Sequence, residues 1–264
     1  MVHPSQDPLI GRTLGRYTID GLVGRGGTGA VYQATDNTLN RQVALKTLHP
    51  RLADKAKLQE RFLDEARNVA ALNHPHIVQI FDFDQRDDVT YLVMELLTDG
   101  SLRDYMEQMA ARNESIALLE CTALVRQLAR ALQYAHERHI IHRDLKPDNL
   151  LLRPSADETM PGPFDLVLAD FGLARLAIEH LMQAEQVPEG TIPYMSPEQC
   201  LGDGRDDLRT DIYSLGVIFF EMVAGQRPYA VRSLGEAVRV HKVMDVPVPS
   251  AYRAAVPPLL DHIV

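Results

Sequence analysis

Cysteine is scarce in this sequence of 264 residues, which contains only Cys121 and Cys200. Two cysteines so far apart cannot build the disulfide framework of a secreted scaffold, so reduced thiols are expected. Long hydrophobic runs are also missing. The most apolar stretch, Ile212 to Phe220, is far shorter than the ~20 residues that span a bilayer, and the N-terminus shows no signal-peptide pattern. No membrane segment is therefore expected in this chain.

An excess of positive charge is absent as well. The chain has 27 Lys and Arg residues against 36 Asp and Glu, for a formal net charge of −9. A chain this acidic is repelled by a polyphosphate backbone, which argues against nucleic acid as its main partner. With 45% hydrophobic and 24% charged residues, the composition is that of a globular domain with a substantial core.

The hydrophobic pattern changes character along the chain. Residues 1–14 are expected to form a flexible tail. Short strand-like runs follow between Tyr17 and Glu95, interrupted by one helical segment near residues 56–72. Helical spacing dominates after Ser101, and residues 212–223 are apolar nearly all round, as in a buried helix. Strands followed by helices predict an α+β architecture in two lobes, about 15–97 and 98–264.

Glycines recur at Gly24, Gly26 and Gly29, with Val31 two residues beyond. Such a loop lets backbone N–H groups approach phosphate oxygens. A dinucleotide site would place a helix after the glycines, whereas the residues that follow here are strand-like. The pattern favours a hairpin over a nucleotide, and an ordinary glycine-rich hairpin is the alternative.

Lys46 shares one strand face with Ala44, because alternate residues of a strand point the same way. Alone, Lys46 is more simply an exposed lysine. Glu65 changes this balance, since it lies beside the apolar stripe of the predicted helix and a buried carboxylate requires a partner. Lys46 is the natural candidate for that partner.

Three blocks later in the chain carry the strongest signal. They are His142–Asn149, with the sequence HRDLKPDN, Asp170–Gly172, with the sequence DFG, and Ser196–Glu198. Together with the glycine-rich loop, these blocks resemble Hanks-type protein kinases in type, order and spacing. The resemblance runs from about residue 15 to the end of the chain and implies a two-lobed kinase fold.

The resemblance also implies a chemistry. Asp144 would be the catalytic base for a Ser or Thr hydroxyl of a protein substrate, and Lys146 would steady the γ-phosphate of ATP. Mg²⁺ would be bound by Asn149 and Asp170, which offer the oxygen ligands it prefers. Thr191 resembles the family threonine that bonds the catalytic aspartate. A lysine at position 146 is typical of Ser/Thr kinases.

Further positions carry over from the family. The implied catalytic set is Asp144, Lys146, Lys46, Glu65 and Thr191. The implied nucleotide-binding set is Val23, Gly24, Arg25, Gly26, Gly27, Thr28, Gly29, Val31, Ala44, Lys46, Met94, Glu95, Leu97 and Leu151. The hydrophobic spine that links the lobes is matched by Val69, Ile80, His142 and Phe171, for which plain core packing is the alternative. Asp211 matches the aspartate that anchors the buried helix.

Several features depart from the family pattern. Asn149 and Asp170 are 21 positions apart, more than is usual, which predicts a longer surface hairpin around residues 153–164. His139 occupies a site that often needs a positive φ. The family continues through further helices, one of which pairs an arginine with the glutamate matched by Glu198. The resemblance therefore predicts a fragment of a longer domain and leaves Glu198 without that partner.

The segment between Leu173 and Gly190 contains no Ser, Thr or Tyr. Phosphorylation there cannot supply the anion that activates many relatives, and Glu185 is a candidate stand-in that would pair with Arg143. A solvated surface acid is an equally good interpretation of Glu185.

The phrase Ser196–Gln199 resembles bacterial Ser/Thr kinases, which permits a homodimer through the N-lobe. It also permits a cytoplasmic chain or the cytoplasmic domain of a membrane-anchored protein. Two other functions stay open. A pseudokinase would usually lack Lys46, Asp144, Asn149 or Asp170, and a small-molecule kinase would lack the segment 190–198.

Overall fold

A computed structural model describes residues 7–26, 29–48, 66–171, 190–202 and 207–262. The chain divides into two compact units. The first contains Met1–Asn73 and Val78–Leu97, and the second contains His74–Ile77 and Thr98–Val264. Among the described residues, the first unit is mainly β-sheet, whereas the second is mainly helical with one short hairpin.

The first unit contains an antiparallel sheet of six strands in the order β1-β2-β3-β4-β6-β5. The strands are β1 (Thr13–Leu14), β2 (Tyr17–Gly26), β3 (Gly29–Asp36), β4 (Arg41–Leu48), β5 (Ile80–Arg86) and β6 (Val89–Met94). Burial alternates along the whole of β3, because successive side chains point to opposite sheet faces. One face carries a core that includes Tyr17, Tyr32 and Tyr91.

Residues 7–14 differ from the expected flexible tail. Leu9 and Ile10 pack against the core of the sheet, and Leu14 has no exposed surface. The short strand β1 pairs with β2, so its backbone groups are hydrogen-bonded as well. Apolar burial and strand pairing together offset the entropy of ordering this segment.

Five α-helices lie among the described residues of the second unit. They are α1 (Leu102–Ala111), α2 (Leu118–His136), α3 (Pro197–Leu201), α4 (Arg209–Ala224) and α5 (Leu234–Val243). Ser101 and Ser196 cap α1 and α3 by accepting hydrogen bonds from backbone N–H groups of the first turn. Gly202 and Gly225 follow α3 and α4 with φ of 64° and 77°, a conformation that favours glycine.

Helix α4 is the buried helix that the sequence predicts. Most of its side chains are buried, including Leu215, Ile218 and Phe220, although Ile212 is half-exposed. Helix α4 packs against α2, whose apolar residues occupy one face at helical spacing. Two packed helices with buried faces form a rigid base for the loops that end on them.

The second unit also contains the antiparallel hairpin of β7 (Leu150–Pro154) and β8 (Phe164–Leu168). Residues 155–163 form its loop, so the predicted lengthening of a surface hairpin is confirmed. Since Leu150 pairs with Leu168, the hairpin brings the residues on either side of it together.

His139 follows α2 with φ of 61°, as the sequence predicts for this position. A positive φ is uncommon for a residue with a side chain, and here it turns the chain out of the helix toward residues 142–149. In the described part of the chain, none of the helices has both the length and the hydropathy of a membrane span.

Candidate active site

Asp211 fixes the backbone at the start of the HRDLKPDN block. It lies in the first turn of α4 and has no exposed surface. Its Oδ2 accepts a hydrogen bond from the backbone N of His142 at 2.8 Å, and its Oδ1 accepts one from the backbone N of Arg143 at 2.8 Å. Arg143 has φ of 67°, a strained conformation for a residue with a side chain. These two charge-assisted bonds hold that turn in place.

His142 connects this turn to the DFG block. Its Nδ1 accepts a hydrogen bond from the backbone N of Asp144 at 3.2 Å, so its Nε2 donates to the Ala169 carbonyl oxygen at 2.9 Å. The imidazole also contacts the ring of Phe171, with centroids 4.6 Å apart. His142 and Phe171 are both buried, and this pair belongs to the predicted spine. Val69 and Ile80, its other predicted members, are buried in the first unit.

Asp144 lies at the centre of a polar cluster. Lys146 Nζ donates to Oδ2 and Oδ1 of Asp144 at 2.9 and 3.1 Å, and it also donates to Thr191 Oγ1 at 2.9 Å. Asn149 Nδ2 donates to Asp144 Oδ2 at 3.0 Å and to its backbone oxygen at 2.7 Å. The contact between Thr191 and Asp144 that the family resemblance predicts therefore runs through Lys146.

Asn149 and Asp170 lie at adjacent ends of the β7–β8 hairpin. The backbone N of Ala169 donates to the Asn149 oxygen at 2.9 Å, and Asp170 follows with φ of 64°. Because the Asn149 amide nitrogen faces Asp144, its Oδ1 is turned away from that carboxylate. An amide and a carboxylate offer the oxygen ligands that a hard divalent cation prefers.

In the first unit, four predicted nucleotide-binding side chains share one face of the sheet. Val31 is paired with Lys46 across β3 and β4, and Ala44 is paired with Met94 across β4 and β6. Directly opposed residues point to the same side of a sheet, so a cation lies beside apolar groups on this face. Lys46 is 4% exposed, which leaves its charge little contact with solvent.

Arg25 lies on the other face. It is paired with Ala30, the neighbour of Val31, and its guanidinium bonds to Asp7. Its backbone N–H, and not its side chain, is thus the group that could contact a phosphate. The other predicted nucleotide-binding residues in the described part of this unit are Val23, Gly24, Gly26, Gly29, Glu95 and Leu97. Leu151 belongs to β7 of the second unit.

A family model described as "Protein kinase domain" matches residues 17–256. The chain belongs to the protein kinase domain family. Membership implies ATP and a divalent metal ion, and it confirms the resemblance to Hanks-type kinases on which the sequence interpretation depends.

Curated relatives of this kinase domain include bacterial kinases. It is 38% identical to the serine/threonine-protein kinase Pkn1 of Myxococcus xanthus, over 98% of this chain and 36% of that protein. It is 32% identical to the serine/threonine-protein kinase PrkC of Bacillus subtilis, over 97% of this chain and 38% of that protein. The chain thus spans little more than a third of the length of these relatives.

A solved structure shares the fold of this kinase domain. The Mycobacterium tuberculosis PknI kinase domain superposes with a TM-score of 0.69 at 28% identity, covering 93% of this chain and 85% of that one. The prediction of an α+β kinase fold with a β-rich N-lobe and a helical C-lobe is confirmed. The first unit corresponds to the former and the second to the latter.

Some predicted positions of the kinase domain lie outside the described residues. They are Gly27, Thr28, Glu65 and Glu185. The pairing of Lys46 with Glu65 and the stand-in role of Glu185 therefore stay predictions. Among the residues that the structure does describe, no group of three or more His, Cys, Asp and Glu side chains could hold a metal ion by itself.

Glu198 has a partner that the sequence analysis missed. Thr210 donates its hydroxyl to Glu198 Oε1 at 2.8 Å, across the start of α4. The carboxylate that the sequence analysis leaves without its family arginine thus accepts a hydrogen bond from a hydroxyl, while the missing arginine stays a prediction. Thr210 is 12 positions away in the sequence, so no local pattern indicates the contact.

A second cluster missed by the sequence analysis surrounds Arg103 of α1. Its guanidinium donates to Glu221 Oε1 at 3.1 Å, bonds to the Tyr194 hydroxyl and lies 3.8 Å from Asp148 Oδ2. Burial and the charge of Glu221 raise the pKa of Tyr194, so its hydroxyl stays protonated and donates to Glu221 Oε2 at 2.5 Å. The cluster ties α1 and α4 to the segment that contains Thr191.

His136 completes the support of Asp211. Its Nε2 lies 2.7 Å from Asp211 Oδ2, which gives this histidine a structural partner. The spacing of His136, His139 and His142 is visible in the sequence, but Asp211 is 75 positions away from His136 and only the fold brings them together. Similarly, Gln199 Nε2 donates to the Arg143 oxygen at 2.7 Å.

Proposed function

We propose that this chain is the catalytic domain of a serine/threonine protein kinase that transfers the γ-phosphate of ATP to Ser or Thr hydroxyls of protein substrates. The observation that carries the proposal is the placement of Lys146, which bonds at once to the Asp144 carboxylate and to Thr191. A base, a cation for the transferred phosphate and a residue of the peptide-binding segment are thereby joined in one network.

Asp144 would accept the proton of the substrate hydroxyl. Its carboxylate is 9% exposed and is oriented by both Lys146 and Asn149. A base held in this way needs no reorganisation when the hydroxyl approaches, which is how positioning contributes to phosphoryl transfer. Lys146 would attract the γ-phosphate while it keeps Asp144 in place.

Asn149 and Asp170 would hold Mg²⁺ through their side-chain oxygens. When bound, Mg²⁺ neutralises the charge of the phosphates and orients them. The backbone hydrogen bond between Ala169 and Asn149 keeps the two residues next to each other, and the β7–β8 pairing fixes that register. The oxygen-only donor set supports magnesium as the metal.

Val31, Ala44 and Met94 would contact the adenine ring, and Lys46 would bind phosphate oxygens from the same sheet face. Glu95 to Leu97 would bond adenine through backbone groups. The backbone N of Glu95 donates to the Gln79 oxygen at 2.9 Å, which holds the start of this segment against the chain that leads into β5. Glu65, which the family resemblance includes in the catalytic set, would pair with Lys46.

The names of the relatives support the choice of Ser and Thr, since each is a serine/threonine-protein kinase. Protein substrates fit the described segment 190–198, whose Thr191, Tyr194 and Ser196 are all buried and hydrogen-bonded. A cytoplasmic location, where ATP is abundant, and a homodimer through the N-lobe belong to the same proposal. Nucleic acid is not proposed as a partner of so acidic a chain.

Replacement of the base tests the proposal. Asp144→Asn should lower kcat roughly 10²–10⁴-fold with ATP affinity largely retained, because the amide cannot accept the proton. Asp148→Asn is the matched control, since it makes the same chemical change four positions away on a side chain that is 51% exposed. Phosphate transfer from labelled ATP to a Ser/Thr substrate measures both variants. Full activity of Asp144→Asn, or an equal loss in Asp148→Asn, would reject the assigned role.

A further inference from the structure

The described part of the chain begins at a buried carboxylate beside the glycine-rich loop. The side chain of Asp7 is only 3% exposed. It accepts hydrogen bonds from the backbone N of Leu9 and from the Tyr32 hydroxyl, each at 3.0 Å, and it forms an ion pair with the Arg25 guanidinium. Burial and the bond to Asp7 raise the pKa of Tyr32 to about 12, so this hydroxyl stays a donor. Three donors therefore converge on one carboxylate.

Arg25 belongs to the loop itself, between Gly24 and Gly26. The register of β2 and β3 places its side chain with Ala30 and Tyr32, on the sheet face opposite Lys46. From here on, the face with Arg25 and Tyr32 is called the outer face. An ion pair on the outer face can hold the loop while its inner face stays open to phosphates.

Asp7 is itself fixed to the sheet. Leu9 and Ile10 pack against the outer-face core, the backbone N of Gly11 donates to the Ile19 oxygen at 2.8 Å, and the backbone N of Ile19 donates to the Arg12 oxygen at 2.9 Å. A carboxylate held by its neighbours in this way restrains whatever it binds, because it cannot follow a moving partner at low cost.

A cavity lies beside the described residues of the loop on this side. The described residues leave a cavity of about 520 Å³ on the outer face, which reaches Gly26 and Gly29 and is bounded by Asp7, Leu48 and Val89. Glycines add no side chain to fill such a space. Where apolar contacts are few, a charge-assisted bond contributes a larger share of the local order.

We propose that Asp7 is a positioning residue for the nucleotide, because it holds Arg25 and with it the glycine-rich loop. The inference rests on the proposed kinase function. A restrained Arg25 backbone loses less entropy when its N–H group binds a phosphate, so the ion pair raises ATP affinity without contact between Asp7 and the nucleotide. Residues 7–10 thus form part of the functional N-lobe.

A double-mutant cycle on the full chain tests this inference. Asp7→Asn, Arg25→Gln and the double variant are compared for the equilibrium Kd of ATP and for KM against kcat. Asp7→Asn should raise Kd and KM for ATP about three- to fivefold, the scale of a partly exposed ion pair, with a smaller effect on kcat. The double variant should be no weaker than Arg25→Gln, because Asp7 acts through Arg25.

Tyr32→Phe is the matched control. It removes another hydrogen bond to the same carboxylate from a ring that is 2% exposed, and it leaves the ion pair in place. It should lower the melting temperature without changing the Kd of ATP. An unchanged Kd in Asp7→Asn, or an equal rise in Tyr32→Phe, would overturn the inference.

Folding failure of Asp7→Asn would not end the test, because Arg25 has a side chain that is 57% exposed and its replacement is tolerable. Wild-type Kd in Arg25→Gln would then overturn the inference. A wild-type chain that binds no ATP would instead overturn the proposed kinase function, and the two failures are thus distinguishable.

Discussion

Asp211 has no exposed surface, yet its two oxygens serve His142, Arg143 and His136. The hydrogen bonds that the Asp211 carboxylate accepts offset the cost of burying its charge. All of these bonds come from the segment that leads into Asp144. Positive φ values at His139 and Arg143 show that this segment is bent out of ordinary geometry. The strain persists because Asp211 and the end of α2 hold both sides of the bend.

Asp211→Asn should destabilise the protein by roughly 1–3 kcal/mol, because one acceptor becomes an N–H₂ group that faces other donors. We expect phosphate transfer to fall as well, since Asp144 follows the bend directly. Urea unfolding and kcat measure the two effects. In the control Asp207→Asn, the side chain is 47% exposed and bonds to Arg209 on the surface, so stability should change by less than about 0.5 kcal/mol. Equal effects in the two variants would contradict the anchoring role.

At the scale of elements, the long loop of the β7–β8 hairpin is docked on α2. A Cβ at Gly162 would overlap Glu120 Oε1 and lie 2.7 Å from its Cγ. Glu120 cannot easily move aside, because it is buried in the first turn of α2 and accepts a hydrogen bond from Tyr105 at 3.0 Å. The loop of the hairpin therefore packs against α2 at a fixed position.

Gly162→Ala should lower the melting temperature by a few degrees, because the new methyl group displaces Glu120 from its bond with Tyr105. The loss should be much smaller when the change is made in a Glu120→Ala background, where the obstructing side chain is gone. Differential scanning fluorimetry of the four proteins measures this coupling. Equal losses in both backgrounds would show that the hairpin loop does not depend on Glu120.

For the molecule as a whole, both cysteine side chains are buried. Cys121 and Cys200 are 0% and 7% exposed, and burial raises their thiol pKa values to about 12 and about 11. Less than about one thiol in a hundred is then ionised at pH 8, and the thiolate is the reactive form. This agrees with reduced, structural thiols.

Iodoacetamide at pH 8 should therefore modify the native protein slowly at both positions and the urea-unfolded protein quickly. Mass spectrometry of the labelled peptides gives each rate. Because Cys121 lies in α2 and Cys200 in α3, the two rates also compare opening in different parts of the helical unit. Native labelling of Cys200 as fast as in urea would contradict its burial.

The sequence allowed many parts of this molecule to be predicted, and the successes are local. Helix α4, the strand that contains Ala44 and Lys46, and the positive φ of His139 depend on spacing or on one backbone position. The family resemblance predicts a direct bond between Thr191 and Asp144, but in the structure Lys146 bonds to both residues and connects them. The packed residues 7–14 could not be predicted from their polar, proline-containing sequence, because the surface that orders them is formed by β2 and β3.

The sequence by itself determined the family, the order of the catalytic blocks and the chemical type of each site residue, because these depend on identity and short spacing. The tertiary structure alone decided which distant groups meet: Asp7 with Arg25, His136 with Asp211, and Lys146 with Thr191. Those pairs are 18, 75 and 45 positions apart. The physical reason is that a polar group removed from solvent takes whichever partners the packing of helices and strands brings to it, and packing depends on the whole chain.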